Sequence, residues 1–220
     1  MKSYPVVLDI NDKQAVVVGG GRIAYRKVIG LLQAGAKITI ISPEITKGIE
    51  ELMISHQINW HKKVFERTDL DFAFIVIAAT DSEQMNKHVA LSVATHQLVN
   101  VVDNQAISTF HVPAKLTRGD LTISVATDGA SPTLAKVIRD ELAEVYDDSY
   151  EKYLEFLSQA RLKINHTDLS SETKIDLLKT ITDEVYRKST YIQQAFLEMI
   201  EDKSGAFNEI RKVGRYANRK

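Results

Sequence analysis

Three consecutive glycines, Gly19, Gly20 and Gly21, are the residues whose type and spacing most directly indicate chemistry. With Ala24 they form the pattern G-x-G-x-x-A, which follows the β-branched run "AVVV" (15–18) and opens a helix-like segment. In that context the first glycine allows a tight turn, Gly21 lets the backbone approach a pyrophosphate, and Ala24 lets the helix pack closely on the sheet. The N-terminus of such a helix also favours phosphate charge. The pattern predicts a dinucleotide site, and a plain glycine turn is the alternative.

The residues around the glycines extend this hypothesis. A dinucleotide site usually carries an acidic residue about 20 positions beyond the glycines, where it binds the ribose hydroxyls. Here Ser42 stands at that place, and Glu44 follows it. A serine hydroxyl can bond a ribose oxygen but does not repel a 2′-phosphate as a carboxylate would, so this position leaves NAD and NADP open. The predicted cofactor contacts are Gly19, Gly20, Gly21, Arg22, Ile23, Ser42, Pro43 and Thr80.

Asp103 is the carboxylate that is best placed for proton transfer. It follows the apolar run "LVNVV" (98–102), and open α/β sheets build their sites at the carboxyl ends of such strands. A general base and an Asx-turn aspartate that ends the strand are equally consistent with this position. His111, in the extended segment "FHVPA" (110–114), is a candidate substrate contact near Asp103, although a lone histidine there is more often structural.

The segment "TDGASP" (127–132) is a candidate anion-binding turn. It contains a glycine and enters a helix, so its backbone N–H groups are available to a carboxylate. Ser131 is a candidate substrate contact in this turn, while helix capping explains it at least as well. Four basic residues are placed where they could hold an anionic substrate, although each alone is more often a solvated charge: Lys115, Arg118, Lys136 and Arg139.

The elements that position these residues change in kind along the chain. Up to about residue 112, strand-like runs alternate with helix-like segments, which predicts right-handed crossovers and a parallel sheet of the Rossmann type. The predicted strands are 15–18, 37–41, 72–80 and 98–102, and the predicted helices are 22–35 and 82–96. The spacing of Asp81 and Gln84 indicates a capping box at the second helix, with Asp81 as its N-cap, so Thr80 is the better candidate for cofactor contact. In the first helix, Ile23, Val28, Leu31 and Leu32 are expected near one face.

After Asp103 the pattern predicts a small extended element and then helices. Residues 108–127 form two extended segments joined through "TRGD", and 131–148 and 171–188 have helical spacing. We expect Ser131 and Pro132 to start the first helix, and the basic residues 203–220 to fray or pack loosely. The predicted domains are a Rossmann domain (1–112), a dimerisation and substrate-pocket segment (113–146) and a helical C-terminal domain (147–220).

Composition limits the function classes. The 28 lysines and arginines nearly balance the 29 aspartates and glutamates, which argues against a broad nucleic-acid or membrane-surface partner. The chain has no cysteine, and its histidines lack metal-ligand spacing, so we expect no metal site, no disulfide and a reducing, cytoplasmic location. No apolar run approaches the length of a membrane span.

Several separated motifs together resemble one family. The chain carries, in order, "VVVGGGRIAYRKV", "ISPE", "AATD", "NVVDN", "FHVPA" and "ISVATDGASPTLAKVIRDELAE". Over about residues 3 to 146 this series resembles the precorrin-2 dehydrogenases of sirohaem biosynthesis, some of which also act as ferrochelatases. The resemblance implies NAD-dependent oxidation of precorrin-2 to sirohydrochlorin in a homodimer, with Asp103 as the base and Thr127, where the family often has serine, at the tetrapyrrole pocket. A bifunctional dehydrogenase/ferrochelatase and a non-catalytic dinucleotide-sensing module are the alternatives.

Overall fold

The apolar runs of the first half of the chain form a five-stranded parallel sheet. The structure, a computed structural model, describes residues 3–201, and the chain divides into two units between Val112 and Pro113. The strands of the first unit are β1 (Gln14–Val18), β2 (Lys37–Ile41), β3 (Asn59–His61), β4 (Ile75–Ala78) and β5 (Leu98–Val101). Their order is β3-β2-β1-β4-β5. The prediction of a Rossmann-type parallel sheet is confirmed.

Helices cover both faces of this sheet. They are α1 (Arg22–Gln33), α2 (Lys47–Ile54) and α3 (Glu83–Ser92), with short 3-10 turns at Arg67–Leu70 and Gln105–Ile107. Ala15 and Val17 of β1 pack with α1 and α2 on one face, and Val16 and Val18 pack with Val89 of α3 on the other. Because both faces are buried, the strands are continuous β-branched runs rather than alternating ones.

The first unit differs from the predictions in several places: the sequence pattern does not predict β3 or α2, and α3 ends at Ser92 rather than at residue 96. The strand predicted over 72–80 is only Ile75–Ala78, because a turn precedes it and Phe72 is exposed. The prediction that Asp81 is the N-cap of α3 is wrong, since the Ser82 hydroxyl accepts from the Met85 N–H and caps the helix. Ile23 is 43% exposed, and the adjacent Ala24 takes the buried position on α1. The alanine of a G-x-G-x-x-A pattern packs against the sheet, so the side chain of the residue before it, Ile23, faces solvent.

The second unit begins with the expected hairpin and helix. β6 (Ala114–Arg118) and β7 (Leu121–Val125) pair antiparallel, and α4 (Pro132–Val145) follows. The Ser131 hydroxyl accepts from the backbone N–H three residues on, which confirms it as the N-cap.

Four more helices complete the described part of the second unit: α5 (Ser149–Asn165), α6 (Ser171–Thr180), α7 (Glu184–Lys188) and α8 (Thr190–Glu201). Their core contains the aromatic residues Tyr153, Phe156, Tyr186 and Phe196. The single helix predicted over 171–188 is wrong, because the Asp183 carboxylate accepts from the Val185 N–H and starts a new helix. Residues 203–220 lie outside the described residues. Between residues 3 and 201, no helix has both the length and the apolar character that crossing a membrane requires.

Candidate functional site

The three glycines have different reasons to be glycine. A Cβ on Gly19, whose φ is +117°, would lie 2.3 Å from the Ala79 carbonyl oxygen, and one on Gly20 would lie 2.0 Å from the Glu44 carbonyl oxygen. Both positions are therefore required by the packing of the turn on its neighbours. A Cβ on Gly21 would meet nothing within 4 Å. The missing side chain at Gly21 is thus unexplained by the protein's own packing and leaves open space beside the turn.

Gly21 is also the N-cap of α1. No side chain caps this helix, and its first turn contains no acidic residue. An uncapped helix N-terminus presents backbone N–H groups and the positive end of the helix dipole, which together suit a phosphate. Arg22 and Ile23 are the exposed first residues of α1, and their side chains do not line the cleft described next.

A cleft of about 610 Å³ lies at the carboxyl ends of β1, β2 and β4. Its lining brings together six of the residues predicted from the sequence: Gly19, Gly20, Gly21, Ser42, Pro43 and Thr80. Ser42 is buried and donates its hydroxyl hydrogen to the Glu44 carbonyl at 2.6 Å, so its oxygen can only accept from a ligand. Among the described residues the lining includes two carboxylates, Glu44 and Asp81, and no lysine or arginine. The glycine turn, the uncapped helix and this cleft fit a dinucleotide.

Asn86, on α3, is a buried polar residue that links this cleft to Asp103. Its side chain is fully buried. The Oδ1 atom accepts from the Thr80 backbone N–H at 2.9 Å and from the Thr80 hydroxyl at 2.8 Å. The Nδ2 atom donates to the Thr80 carbonyl at 3.0 Å and to Oδ2 of Asp103 at 2.8 Å. The ends of β4 and β5 are therefore joined through one side chain.

The position of Asn86 in the sequence is a signal that the motifs above do not include. Asn86 lies three residues before Val89 and so falls on the buried face of α3. A polar side chain in an apolar stripe must find hydrogen-bond partners, and such residues often connect functional segments.

Asp103 lies two residues after the end of β5 and is exposed. The Asx-type hydrogen bond of this segment comes instead from Asn104, whose Oδ1 accepts from the Ala106 N–H. Asp103 is not part of the cleft lining and reaches it through Asn86 and Thr80. His111 is exposed and lies in the irregular chain before β6 rather than in a strand, because Ser108 and Thr109 already bond to the free edge of β5.

The candidates of the second unit are engaged in local structure. The Thr127 hydroxyl accepts from the Ser131 N–H at 3.2 Å, and the Ser131 hydroxyl caps α4. Of the basic residues, Arg118 lies 2.9 Å from the Asp148 carboxylate and Arg139 lies 2.6 Å from its neighbour Asp140. Lys115 and Lys136 are exposed. Over residues 3–201, the His, Asp and Glu side chains form no cluster of three or more that could hold a metal ion.

Comparisons with known proteins cover both units. Residues 6–114 match the family model "Putative NAD(P)-binding", residues 118–144 match "Sirohaem biosynthesis protein central", and residues 150–196 match "SirC C-terminal domain". A precorrin-2 dehydrogenase of Priestia megaterium is 37% identical over 198 residues, which are 90% of this chain and 98% of that protein. One of Bacillus subtilis is 34% identical over 72% of this chain and 98% of its own length.

Two further comparisons agree with these. A siroheme synthase of Methylobacillus flagellatus is 35% identical over 73% of this chain, which corresponds to 35% of that longer protein. The solved structure titled "SirC, precorrin-2 dehydrogenase" superimposes with a TM-score of 0.81 and 37% identity, covering 91% of this chain and all of that one. By its full-length relatives, its fold and its family models, this chain belongs to the precorrin-2 dehydrogenase family.

Proposed function

We propose that this chain oxidises precorrin-2 to sirohydrochlorin, with NAD⁺ as the hydride acceptor and Asp103 as the general base. The observation that carries this proposal is the open, uncapped glycine turn at Gly21, whose cleft is connected to the Asp103 carboxylate by hydrogen bonds. The reaction removes two hydrogens from precorrin-2, one as a hydride and one as a proton. The site therefore needs an acceptor for each, and this geometry offers both.

The chain's part is to hold the dinucleotide and take the proton. The first-turn N–H groups of α1 are suited to the pyrophosphate, and the space beside Gly21 admits it. When bound, NAD⁺ supplies the nicotinamide that receives the hydride. Thr80 lies at the end of β4, on the side of the cleft that Asn86 links to Asp103. Asp103 then accepts the proton on its carboxylate.

We propose NAD rather than NADP because of the charges in the cleft. A 2′-phosphate adds negative charge that normally requires a nearby cation. The Glu44 carboxylate, two residues after Ser42, would repel it, and no cationic side chain lines the described cleft. Ser42 can still accept a hydrogen bond from a free ribose hydroxyl.

We also propose a homodimer, which is supported by apolar surface in the second unit. Leu134, Val137 and Val145 of α4 are 50%, 47% and 62% exposed. The hairpin beside α4 has only two strands, which is marginal without further packing. A second copy of the chain would cover this surface.

We also propose a cytoplasmic location, where nicotinamide dinucleotides are available.

The experiment that tests the activity is anaerobic incubation with precorrin-2 and each dinucleotide, followed by absorbance of the reduced cofactor. We expect reduction of NAD⁺ at a higher kcat/KM than of NADP⁺. Equal use of both would contradict the charge argument, and no reduction of either would remove the proposed function. Asp103→Ala distinguishes an enzyme from a non-catalytic sensing module. An enzyme loses turnover in this variant, whereas a sensing module needs no base and is unaffected by the change.

Ferrochelatase activity is tested with sirohydrochlorin and Fe²⁺ in the absence of dinucleotide. We expect no acceleration over the enzyme-free rate, and the support is that the two relatives matched over 98% of their length carry dehydrogenase names alone. Sirohaem formed faster than that rate would show the bifunctional alternative to be correct.

A further inference from the structure

We infer that Asn86 is a positioning residue that fixes the carboxylate of Asp103 for proton transfer and couples it to the loop that contacts the cofactor. This inference rests on the function proposed above. Asn86 is fully buried on α3, whereas both residues that it joins lie at the ends of neighbouring strands.

The hydrogen bonds determine which way the Asn86 amide points. The Thr80 backbone N–H must donate, so the oxygen of the amide has to face Thr80. Reversing the amide would place two donors together at Thr80 and would place an acceptor against the carboxylate of Asp103. The observed orientation uses both N–H groups of the amide and two bonds to its oxygen. Because every position is satisfied, the side chain has one orientation available in this buried site.

This orientation distinguishes the two oxygens of Asp103. Oδ2 accepts from Asn86 at 2.8 Å. Among residues 3–201, the structure gives Oδ1 no hydrogen-bond partner and gives the carboxylate no ion pair. The Asn86 contact therefore restricts rotation of the carboxylate and leaves Oδ1 as the oxygen that takes the proton. An exposed aspartate without this contact would sample several rotamers.

The same amide also holds the cofactor side of the site. Thr80 lines the cleft, and Asn86 bonds its backbone N–H, its carbonyl and its hydroxyl. One side chain therefore sets the position of the Asp103 carboxylate relative to this loop. Pre-organising the base relative to the cofactor in this way serves proximity, which is a large part of catalysis.

The test must separate positioning from simple stabilisation of the loop. Asn86→Asp keeps an oxygen that accepts from Thr80 and replaces the N–H donor to Asp103 by a second acceptor. Gln84→Glu is the matched control, since it makes the same amide-to-acid change at an exposed position of the same helix. Asn86→Ser, which loses the donor without adding charge, is measured in parallel so that poor folding of one variant does not decide the result.

Cofactor affinity and turnover are measured separately. Trp60 is the only tryptophan, and its indole N–H donates to the Ser42 carbonyl at 2.9 Å beside the cleft, so its fluorescence reports NAD⁺ binding. For Asn86→Asp we expect kcat to fall about tenfold or more, the acid side of the kcat–pH profile to move to higher pH, and the Kd of NAD⁺ to change by less than about threefold. Gln84→Glu should match the wild type in all three.

A double-mutant cycle with Asp103→Ala completes the test. If Asn86 acts through Asp103, either Asn86 substitution costs turnover in the wild-type background and almost none in the Asp103→Ala background. Equal losses in both backgrounds, or a wild-type kcat in the Asn86 variants, would overturn the inference while the proposed function stands. A wild-type protein that transfers no hydride would instead overturn the proposed function and this inference with it.

Discussion

Gly21 differs from Gly19 and Gly20 because packing within the protein does not require it to be glycine. Gly19 and Gly20 are glycine because a Cβ would collide with backbone oxygens, whereas Gly21 faces open space. Its φ of −82° and extended ψ are accessible to any residue. We therefore propose Gly21 as the glycine whose substitution changes cofactor binding and leaves the fold unchanged.

We expect Gly21→Ala to keep the wild-type melting temperature and to weaken NAD⁺ binding by about tenfold or more, or roughly 1.4 kcal/mol. The added methyl occupies space that the pyrophosphate would use. Thermal unfolding and Trp60 fluorescence measure the two effects. Gly20→Ala is the contrasting variant and should lower the melting temperature, because its Cβ would lie 2.0 Å from the Glu44 carbonyl. Unchanged NAD⁺ affinity in Gly21→Ala would place the pyrophosphate elsewhere.

Asp103→Asn is the corresponding test of the base. It keeps the size of the side chain and an oxygen that can accept from Asn86, and it removes the ability to take a proton. We expect kcat to fall by about 10² or more while NAD⁺ affinity stays the same. Single-turnover formation of reduced cofactor gives the rate. A variant that retains wild-type turnover would assign the proton to another group.

The residues of the cleft differ in how far the sequence could predict them. The glycines are predictable from the spacing of the G-x-G-x-x-A pattern, and Thr80 is predictable from its place at the end of a strand. All of them line one cleft. Asn86 could not be assigned its partners from its position alone, because the bonds to Thr80 and Asp103 depend on how β4 and β5 pair. Side chains that bridge distant segments are visible only once the register of the sheet is known.

At the scale of elements, long apolar runs were predictable and short elements were not. β1 and β2 have five residues each and are buried on both faces, so each appears in the sequence as a continuous run of mostly apolar residues. β3 has three residues and α2 has eight, of which only Ile49 is buried, so neither shows a period long enough to recognise. Position in the fold, rather than local propensity, makes these two segments regular.

The start of α5 provides an electrostatic prediction. Hydrogen bonds from the Ser149 hydroxyl and backbone N–H lower the pKa of Asp147 below its usual 3.8, and Arg187 lowers it further. Hydrogen bonds and charge from Lys188, with Arg187, lower the pKa of Glu184 below 4.5. Folded values below unfolded ones mean that this contribution to stability is present above the usual pKa values and is lost as the pH falls through the lowered ones.

We therefore expect Asp147→Asn to lower the free energy of unfolding at pH 7 and to lower it by less at pH 3. Both carboxylates are exposed, so the difference is small and shrinks with added salt. Urea unfolding followed by circular dichroism at the two pH values measures it. A larger difference at pH 3 than at pH 7 would contradict the sign of the shift.

At the scale of the whole molecule, the apolar face of α4 leads to a prediction about assembly. We expect the wild type to sediment at twice the 24.7 kDa of one chain and Val137→Glu to shift it toward the monomer. A charge placed in an apolar contact is costly to bury. Ile54→Glu, at an exposed apolar residue of the first unit, is the control and should leave the mass unchanged. A wild-type monomer at micromolar concentration, or a dimeric Val137→Glu, would show that this face is not the interface.

In the proposed reaction, a dinucleotide held at the glycine turn takes a hydride while the chain takes a proton from precorrin-2. The most direct measurement is an anaerobic single-turnover reaction of the wild-type protein with precorrin-2 and NAD⁺, in which reduced cofactor and sirohydrochlorin are quantified together. We expect one reduced cofactor for each sirohydrochlorin, with both appearing at the same rate. Sirohydrochlorin without reduced cofactor, or neither product with NAD⁺ and NADP⁺ in turn, would contradict the account.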